Sequence, residues 1–182
     1  MEDIKIINNK KYTILRLLGH GKGGYSYLGE NDGQLFVIKM IHHEPCDYYS
    51  FGNKILAEKN DYERLLKTGI RIPEMFYIDM ENEIILKQYI EGKTIYELLV
   101  EDVSVEPYID QIRDMADKAR THNLNIDYFP TNFVVHDGLI WYIDYECNEY
   151  MDEYSFENWG IRYWSRTREF QDYLEAHDKH TV

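Results

Sequence analysis

The feature that most constrains the fold is a lysine that ends an apolar run shortly after a glycine-rich turn. Residues 18–39 read LGHGKGGYSYLGENDGQLFVIK, in which the apolar run Leu35 to Ile38 leads directly into Lys39. A half-buried strand would place another apolar residue there. Burying an unpaired ammonium costs several kcal/mol even after relaxation. Lys39 therefore predicts a carboxylate close by.

The first half of the chain predicts antiparallel strands and one helix. Strands are predicted over 12–18, 25–30, 35–41, 75–79 and 83–90, where apolar or aromatic runs end at turn residues. A helix is predicted over about 50–68, with Gly69 as its C-cap. On this helix Glu58 shares one face with the apolar residues Ile55 and Leu65. We therefore expect Glu58 to pair with Lys39.

The second half predicts further helices and one hairpin. Thr94 and Glu97 have the spacing of a capping box for a helix that begins after Gly92, and a second helix is predicted to follow Pro107. Asp137-Gly138 joins two apolar runs and predicts a hairpin that pairs His136 with Leu139. The aromatic segment 150–174 predicts one or two more helices. We place the boundary between two lobes after residue 91, which gives 1–91 and 92–182.

Three polar residues beside this hairpin suggest chemistry on a triphosphate. Asn132 and Asp144 stand at the open end of the hairpin, and their side-chain oxygens are the kind of ligand that Mg2+ takes. Asp127 lies five residues before Asn132 in a non-helical turn and could accept the proton of an attacking hydroxyl. A glycine turn between strands lets backbone N–H groups approach phosphate oxygens, which Lys39 can also contact.

Charge and composition narrow the partners. The net charge of −13 over 182 residues disfavours direct binding of nucleic acid, which needs a basic surface. No stretch approaches the roughly 20 apolar residues of a membrane span, so we expect a cytoplasmic protein without a membrane contact. Cys46 and Cys147 lack metal-ligand spacing and are predicted to be buried free thiols.

The motifs resemble the protein-kinase-like superfamily over residues 15–144. GHGKGGYS resembles its glycine-rich loop, FVIK its ATP-lysine strand, DYFPTN its catalytic loop and IDYE its metal-binding tripeptide. The resemblance implies an α+β, two-lobed protein-kinase-like fold, with an antiparallel five-stranded N-lobe and a truncated, mainly helical C-lobe. It also implies ATP and Mg2+ as cofactors.

The resemblance implies a role for each of five polar residues. Lys39 would orient the α- and β-phosphates, and Glu58 would hold Lys39 in place. Asp127 would be the catalytic aspartate, and Asn132 and Asp144 would bind magnesium.

The remaining site residues come from the same resemblance. Gly19, Gly21 and Gly24 correspond to the glycines that cover the phosphates. Gln88 and Ile90 lie in ILKQYIEG, which resembles the hinge that binds adenine through its backbone.

Two atypical branches of the superfamily are similar to this chain. AEKNDYERLLKTGIRIP and YIEGKTIYELL resemble the small RIO-type kinases and the minimal kinase of the tRNA threonylcarbamoylation complex. IDYECNEYMDEYSFENWGIRYW is similar to the corresponding region of choline and aminoglycoside phosphotransferases. The first branch favours a protein substrate or an ATPase role within a larger complex, and the second favours a small hydroxylated acceptor.

The expected function is transfer of the γ-phosphoryl group of ATP to a hydroxyl acceptor, a protein or a small molecule, in the manner of a serine/threonine kinase. A nucleotide-binding pseudokinase or scaffold is the alternative from another class. It is favoured by Asn125-Ile126, where the family has His-Arg or His-Gly, and by Phe129, where protein kinases carry a lysine.

Overall fold

The computed structural model describes residues 3–44 and 52–178. The contacts divide the chain into two compact units, one of residues 1–60 with 73–89 and one of residues 61–72 with 90–182. The boundary after residue 91 that the sequence indicates stays a prediction.

An antiparallel sheet forms the first unit. Among the described residues it has six strands: β1 (Asp3–Ile7), β2 (Lys10–His20), β3 (Gly24–Asn31), β4 (Gln34–Ile41), β5 (Met75–Asp79) and β6 (Ile84–Gln88). Their order in the sheet is β1-β2-β3-β4-β6-β5. The predicted five strands are therefore wrong in number, because β1 was not anticipated. A turn at Asn8 and Asn9, both at positive φ, folds β1 back onto β2.

The two faces of this sheet bury different chemistry. On one face Tyr12, Ile38 and Leu86 form a buried apolar cluster. Successive side chains of a strand point to opposite faces, so Lys39 lies on the other face, where it stands opposite Ile85 of β6. The sheet thus buries an apolar cluster on one face and the lysine on the other.

The first helix, α1 (Lys54–Leu66), follows β4 in the chain. Asn53 caps it by accepting the N–H of Leu56 at 3.0 Å. The chain turns away at Gly69, whose φ of +74° is the left-handed conformation of a helix-terminating glycine. Ile55 and Leu65 are buried, which confirms the predicted apolar face. The predicted first residues of the helix, 50 and 51, lie outside the described residues.

Helices and short strands make up the second unit. The helices are α2 (Ile95–Val100), α3 (Ile109–Thr121) and α4 (Arg168–Asp178). The strands are β7 (Lys93–Thr94), β8 (Leu124–Ile126), β9 (Phe133–His136), β10 (Leu139–Tyr142) and β11 (Cys147–Glu149). Thr94 and Glu97 form the predicted capping box of α2. Strands β9 and β10 pair His136 with Leu139, so the predicted hairpin register is confirmed.

Aromatic residues from the C-terminal segment pack into the core of the second unit. Trp164 packs edge-on against Phe133 and Phe156, with ring centroids 5.1 and 5.6 Å apart. In this segment, for which one or two helices are predicted, the structure has α4 and two short 3-10 helices, Asp152–Tyr154 and Gly160–Tyr163. These rings hold the C-terminal segment on the strands that carry the candidate site.

Two further expectations concern the cysteines and the membrane. Cys147 is buried and free, as predicted, whereas Cys46 lies outside the described residues. Within the part of the chain that the structure describes, no helix combines the length and the apolar character that a membrane crossing requires. The cytoplasmic location stays a prediction.

Candidate functional site

The glycine turn between β2 and β3 is closed by its own backbone. The N–H of Gly21 donates to the carbonyl of Gly24 at 3.1 Å, and the N–H of Gly24 donates to the carbonyl of Gly21 at 3.3 Å. At Gly24 a Cβ atom would lie 2.3 Å from the carbonyl oxygen of Met40, so only glycine fits there. At Gly19 and Gly21 a Cβ atom would meet nothing within 4 Å. Sterically, Gly24 alone of the three predicted glycines is required.

The predicted ion pair lies directly beneath this turn. Lys39 Nζ donates to Glu58 Oε1, and the two side chains are only 11% and 14% exposed. A Cβ atom on Gly23 would lie 3.2 Å from both of these atoms. Gly23 thus packs against the ion pair, although the sequence reasoning assigned it no role. The doubled glycine of GKGG was the available signal.

Buried lysines are concentrated in the first unit. Lys39, Lys54 and Lys87 are each less than a tenth exposed. Lys54 Nζ donates to the carbonyl of Lys22 at 2.9 Å and to the carbonyl of His42 at 2.7 Å. It therefore ties the tip of the glycine turn to the end of β4. A lysine at a helix start is ordinarily solvated, so the sequence carries no signal for this contact.

The two predicted hinge residues, Gln88 and Ile90, belong to different units. The N–H of Gln88 donates to the carbonyl of Glu74 at 2.8 Å, and Gln88 Oε1 accepts the N–H of Glu74 at 3.2 Å. The Gln88 N–H is thus engaged within the first unit. Ile90 is buried in the second unit. Their contact with adenine stays a prediction.

In the second unit, hydrogen bonds to backbone carbonyls bring together the chain segments of the three predicted polar residues. Asn132 Nδ2 donates to the carbonyl of Asp127 at 3.3 Å. The N–H of Ile143 donates to the carbonyl of Asn132 at 2.9 Å, which places Asp144 one residue beyond this contact. Asp127 Oδ1 accepts the N–H of Phe129 at 3.0 Å, so the carboxylate is oriented by its own loop.

Tyr142 is a buried positioning residue that the sequence reasoning missed. Its hydroxyl accepts the N–H of Asp127 at 3.2 Å and donates to the carbonyl of Glu146 at 2.7 Å. Burial, and then the charges of Asp144 and Asp127, raise the pKa of Tyr142 well above its usual value. The phenol therefore stays neutral and keeps its proton for Glu146. In the sequence it reads as an ordinary core tyrosine of a strand.

The C-terminal segment fixes the loop that carries Asp127. Trp164 Nε1–H donates to the carbonyl of Tyr128 at 2.7 Å, and both residues are buried. The ring of Phe129 lies 5.3 Å from that of Tyr163 and 4.6 Å from that of Tyr173. The aromatic core thus holds both Tyr128 and Phe129, the two residues that follow Asp127 in the loop.

No protein-family model matches the chain. The chain is similar to KEOPS complex subunit Bud32 of Pyrococcus abyssi, with 25% identity over 124 residues that make up 66% of this chain and 56% of Bud32. It therefore spans little more than half the length of that relative. Bud32 is an atypical protein-kinase-like protein, so this weak homology supports the kinase-like superfamily without deciding the branch.

Proposed function

We propose that the protein is an ATP- and Mg2+-dependent phosphotransferase that moves the γ-phosphoryl group to a hydroxyl acceptor. The observation that carries the proposal is the Lys39–Glu58 ion pair, buried against Gly23. Replacing a buried ion pair by well-packed apolar residues is often neutral or stabilising, so stability alone does not account for this one. An ammonium beneath a glycine turn suits the anionic oxygens of a phosphate chain.

The residues of the first unit would bind the phosphates. Lys39 would contact the α- and β-phosphates while Glu58 keeps the ammonium oriented. The N–H groups of Gly21 and Gly24 donate within the turn, so we place the backbone contact to phosphate at Gly23, at the tip of the turn. Buried positive charge in this unit supports the same assignment, because it offsets the charge of a polyphosphate.

The donor set of the second unit fits Mg2+. A carboxylate and an amide oxygen are hard oxygen ligands of the kind Mg2+ binds. Asn132 Nδ2 donates to the Asp127 carbonyl, and this hydrogen bond fixes the orientation of the amide, including its oxygen Oδ1. Asn132 and Asp144 would hold the ion, which when bound neutralises charge on the phosphates.

Asp127 would act as the base. As the acceptor oxygen bonds to the γ-phosphorus, the bond from that phosphorus to the bridging oxygen breaks, ADP leaves, and the hydroxyl proton passes to the Asp127 carboxylate. The Phe129 N–H holds this carboxylate, and Tyr142 and Asn132 hold its backbone. These contacts support the assignment of Asp127, because they hold its carboxylate in one orientation.

Calorimetric titration of ATP with and without Mg2+, followed by an ADP-release assay, tests the proposal. We expect Mg2+-dependent binding by the wild-type protein and loss of that dependence in Asp144→Asn. The matched control is Asp110→Asn, an equally conservative change at a carboxylate that is 99% exposed. Binding that ignores Mg2+, or an effect shared by both variants, would overturn the metal assignment. Mg2+-dependent binding without ADP release would favour the pseudokinase alternative.

We propose partner proteins as a second element of the function. The related Bud32 is named as a subunit of a complex, and the acceptor of this chain would then be presented by, or belong to, a partner. An excess of purified partner that raises ADP release would support this role, whereas full turnover by the isolated chain would argue against it.

A small cationic acceptor is a second candidate, favoured by one observation. The half-buried rings of Tyr163 and Tyr173 lie against the ring of Phe129, which stands two residues after Asp127 in the chain. Aromatic faces attract cations by roughly 0.5–2 kcal/mol. Choline should then raise ADP release more than its uncharged isostere 3,3-dimethylbutanol, and Phe129→Leu should reduce that difference. Equal responses to the two alcohols would refute this candidate.

A further inference from the structure

A second group of ligating side chains lies at the glycine-turn end of the first-unit sheet. His20 ends β2, and His42 and Glu44 follow the end of β4. One ring nitrogen of each histidine and one carboxylate oxygen of Glu44 all lie within 4.8 Å of one another. Across residues 3–44 and 52–178, no other three histidine, cysteine, aspartate or glutamate side chains come together in this way. We propose that His20, His42 and Glu44 bind a divalent transition-metal ion of the Zn2+ class.

The chemistry of the three ligands favours Zn2+ over Mg2+. Two imidazoles and one carboxylate form a known protein ligand set for zinc, with water in the fourth position, whereas Mg2+ prefers oxygen ligands alone. With bonds of about 2.0–2.1 Å, ligand atoms of a tetrahedral zinc lie about 3.3 Å apart. His20 Nε2 and Glu44 Oε2 are already 3.6 Å apart, and both side chains are about half exposed and able to adjust.

Hydrogen bonds already orient the proposed ligand His42. Its Nε2 lies 2.9 Å from the carbonyl of Gly21. A carbonyl only accepts, so Nε2 carries the proton of the neutral ring, and the Nδ1 lone pair is left to face the Glu44 N–H at 3.2 Å. Donation of the second ring N–H to a backbone carbonyl is the usual outer-shell partner of a metal-bound histidine. A metal at Nδ1 would replace one weak contact.

Tyr25 orients the other two proposed ligands. Its hydroxyl donates to Glu44 Oε1 at 2.6 Å, and the other carboxylate oxygen lies toward His20. The Tyr25 ring stacks on the His20 ring with centroids 4.3 Å apart and planes 12° apart. Tyr25 is therefore an outer-shell partner on β3, between the strands that lead to the two histidines.

The adjacent histidine supplies an internal contrast. His43 Nε2 pairs with Glu83 Oε2, and His43 does not belong to the three-residue cluster. It is the same residue type at the neighbouring position, and it is exposed, as His20 is. A nonspecific effect of removing a surface histidine would appear equally at His43.

A metal at this cluster would connect the glycine turn to the end of β4. The Gly21 carbonyl that His42 contacts belongs to the turn itself. On the proposed function, which this consequence alone presupposes, a bound Zn2+ would restrict the turn and alter ATP affinity. Binding of Zn2+ to the three side chains needs no nucleotide and is measured without one.

Titration of ZnCl2 into tag-free protein, in competition with a chromophoric chelator, tests the inference. We expect one Zn2+ per chain, and Co2+ in its place should give the visible d–d bands of a four-coordinate ion. His20→Ala and Glu44→Gln should weaken binding by more than the roughly 10–100-fold expected for an outer-shell partner. Tyr25→Phe should weaken it within that range, and His43→Ala should leave it unchanged.

The structure of each variant is checked in excess chelator by circular dichroism and urea unfolding. If one ligand variant does not fold, His42→Gln replaces it, since the amide preserves much of the side-chain volume. Absence of stoichiometric Zn2+ binding, or equal weakening by His43→Ala, would overturn the inference. Since no ATP is present, either result leaves the proposed phosphotransferase activity to its own test.

Discussion

Removing one partner of the Lys39–Glu58 pair should destabilise the first unit strongly. The Glu58 side chain is only 14% exposed, and its Oε2 has no hydrogen-bond partner among the described residues, so Lys39→Met removes the cation from a buried carboxylate. Breaking a buried pair in this way costs about 3–5 kcal/mol, because one charge is left uncompensated. The double variant Lys39→Met with Glu58→Met removes that charge and should recover most of the loss, since apolar replacement of a buried pair is commonly near neutral.

Urea unfolding followed by far-UV circular dichroism measures these free energies. Tryptophan fluorescence is unsuitable because all three tryptophans lie in the second unit. The control is Lys93→Met, which breaks a pair with Glu101 whose side chains are about half exposed; it should cost no more than about 1 kcal/mol. A double variant as unstable as Lys39→Met would refute the reasoning. The double variant is also the proper background for testing whether Lys39 is needed for ATP binding.

Three further outcomes follow from the same geometry. Gly23→Ala should weaken ATP binding, because its methyl group would press on the Lys39–Glu58 ion pair. The methyl group of Gly21→Ala would meet nothing within 4 Å, so this variant should bind ATP as the wild type does. Equal effects of the two variants on calorimetric ATP binding would contradict this. Tyr142→Phe removes the hydrogen bonds of the hydroxyl to the Asp127 N–H and the Glu146 carbonyl, so it should cost roughly 1–3 kcal/mol and lower kcat more than it changes the KM for ATP. Tyr154→Phe, at an exposed position, should do neither. Burial, and then the charge of Asp61, raise the pKa of the Cys147 thiol to about 12, so at pH 8 only about one thiol in ten thousand is ionised. In a Cys46→Ser background, Ellman's reagent should therefore react with Cys147 only when the protein unfolds. Rapid reaction of the native protein would contradict the burial of Cys147.

The parts of the structure that could be predicted are those determined by the spacing of apolar residues, by turn residues or by a charged group whose burial is unfavourable. A buried ammonium needs a carboxylate, and the helical spacing left Glu58 as the acid on the apolar face of α1. That ion pair is present. Asp137-Gly138 likewise defines a two-residue turn, which determines the register of β9 and β10. In both cases local chemistry leaves few alternatives.

The missed features depend on contacts that local patterns do not encode. Strand β1 buries Ile7 but exposes Ile4 and Ile6, at 48% and 69%, so its apolar residues lie on both faces and do not alternate as in a half-buried strand. Tyr142 differs from any core tyrosine only through the Asp127 N–H and the Glu146 carbonyl that its hydroxyl meets. Lys54 acts through carbonyl groups, and backbone carbonyls are the same in every sequence.

The net charge of −13 and the buried lysines act over different distances, and this decides where an anion can bind. At physiological ionic strength, interactions between exposed charges are largely screened beyond about 8 Å. Acidic side chains farther than this from the phosphate site therefore repel a bound ATP only weakly. Lys39 is 89% removed from solvent at its side chain, and charges in such a setting are screened much less. Affinity for a phosphate chain should therefore be governed by the few buried lysines, whereas the acidic surface should mainly slow the encounter. Added salt would then raise the association rate of ATP with little change in its dissociation rate, the reverse of what an exposed basic patch would show.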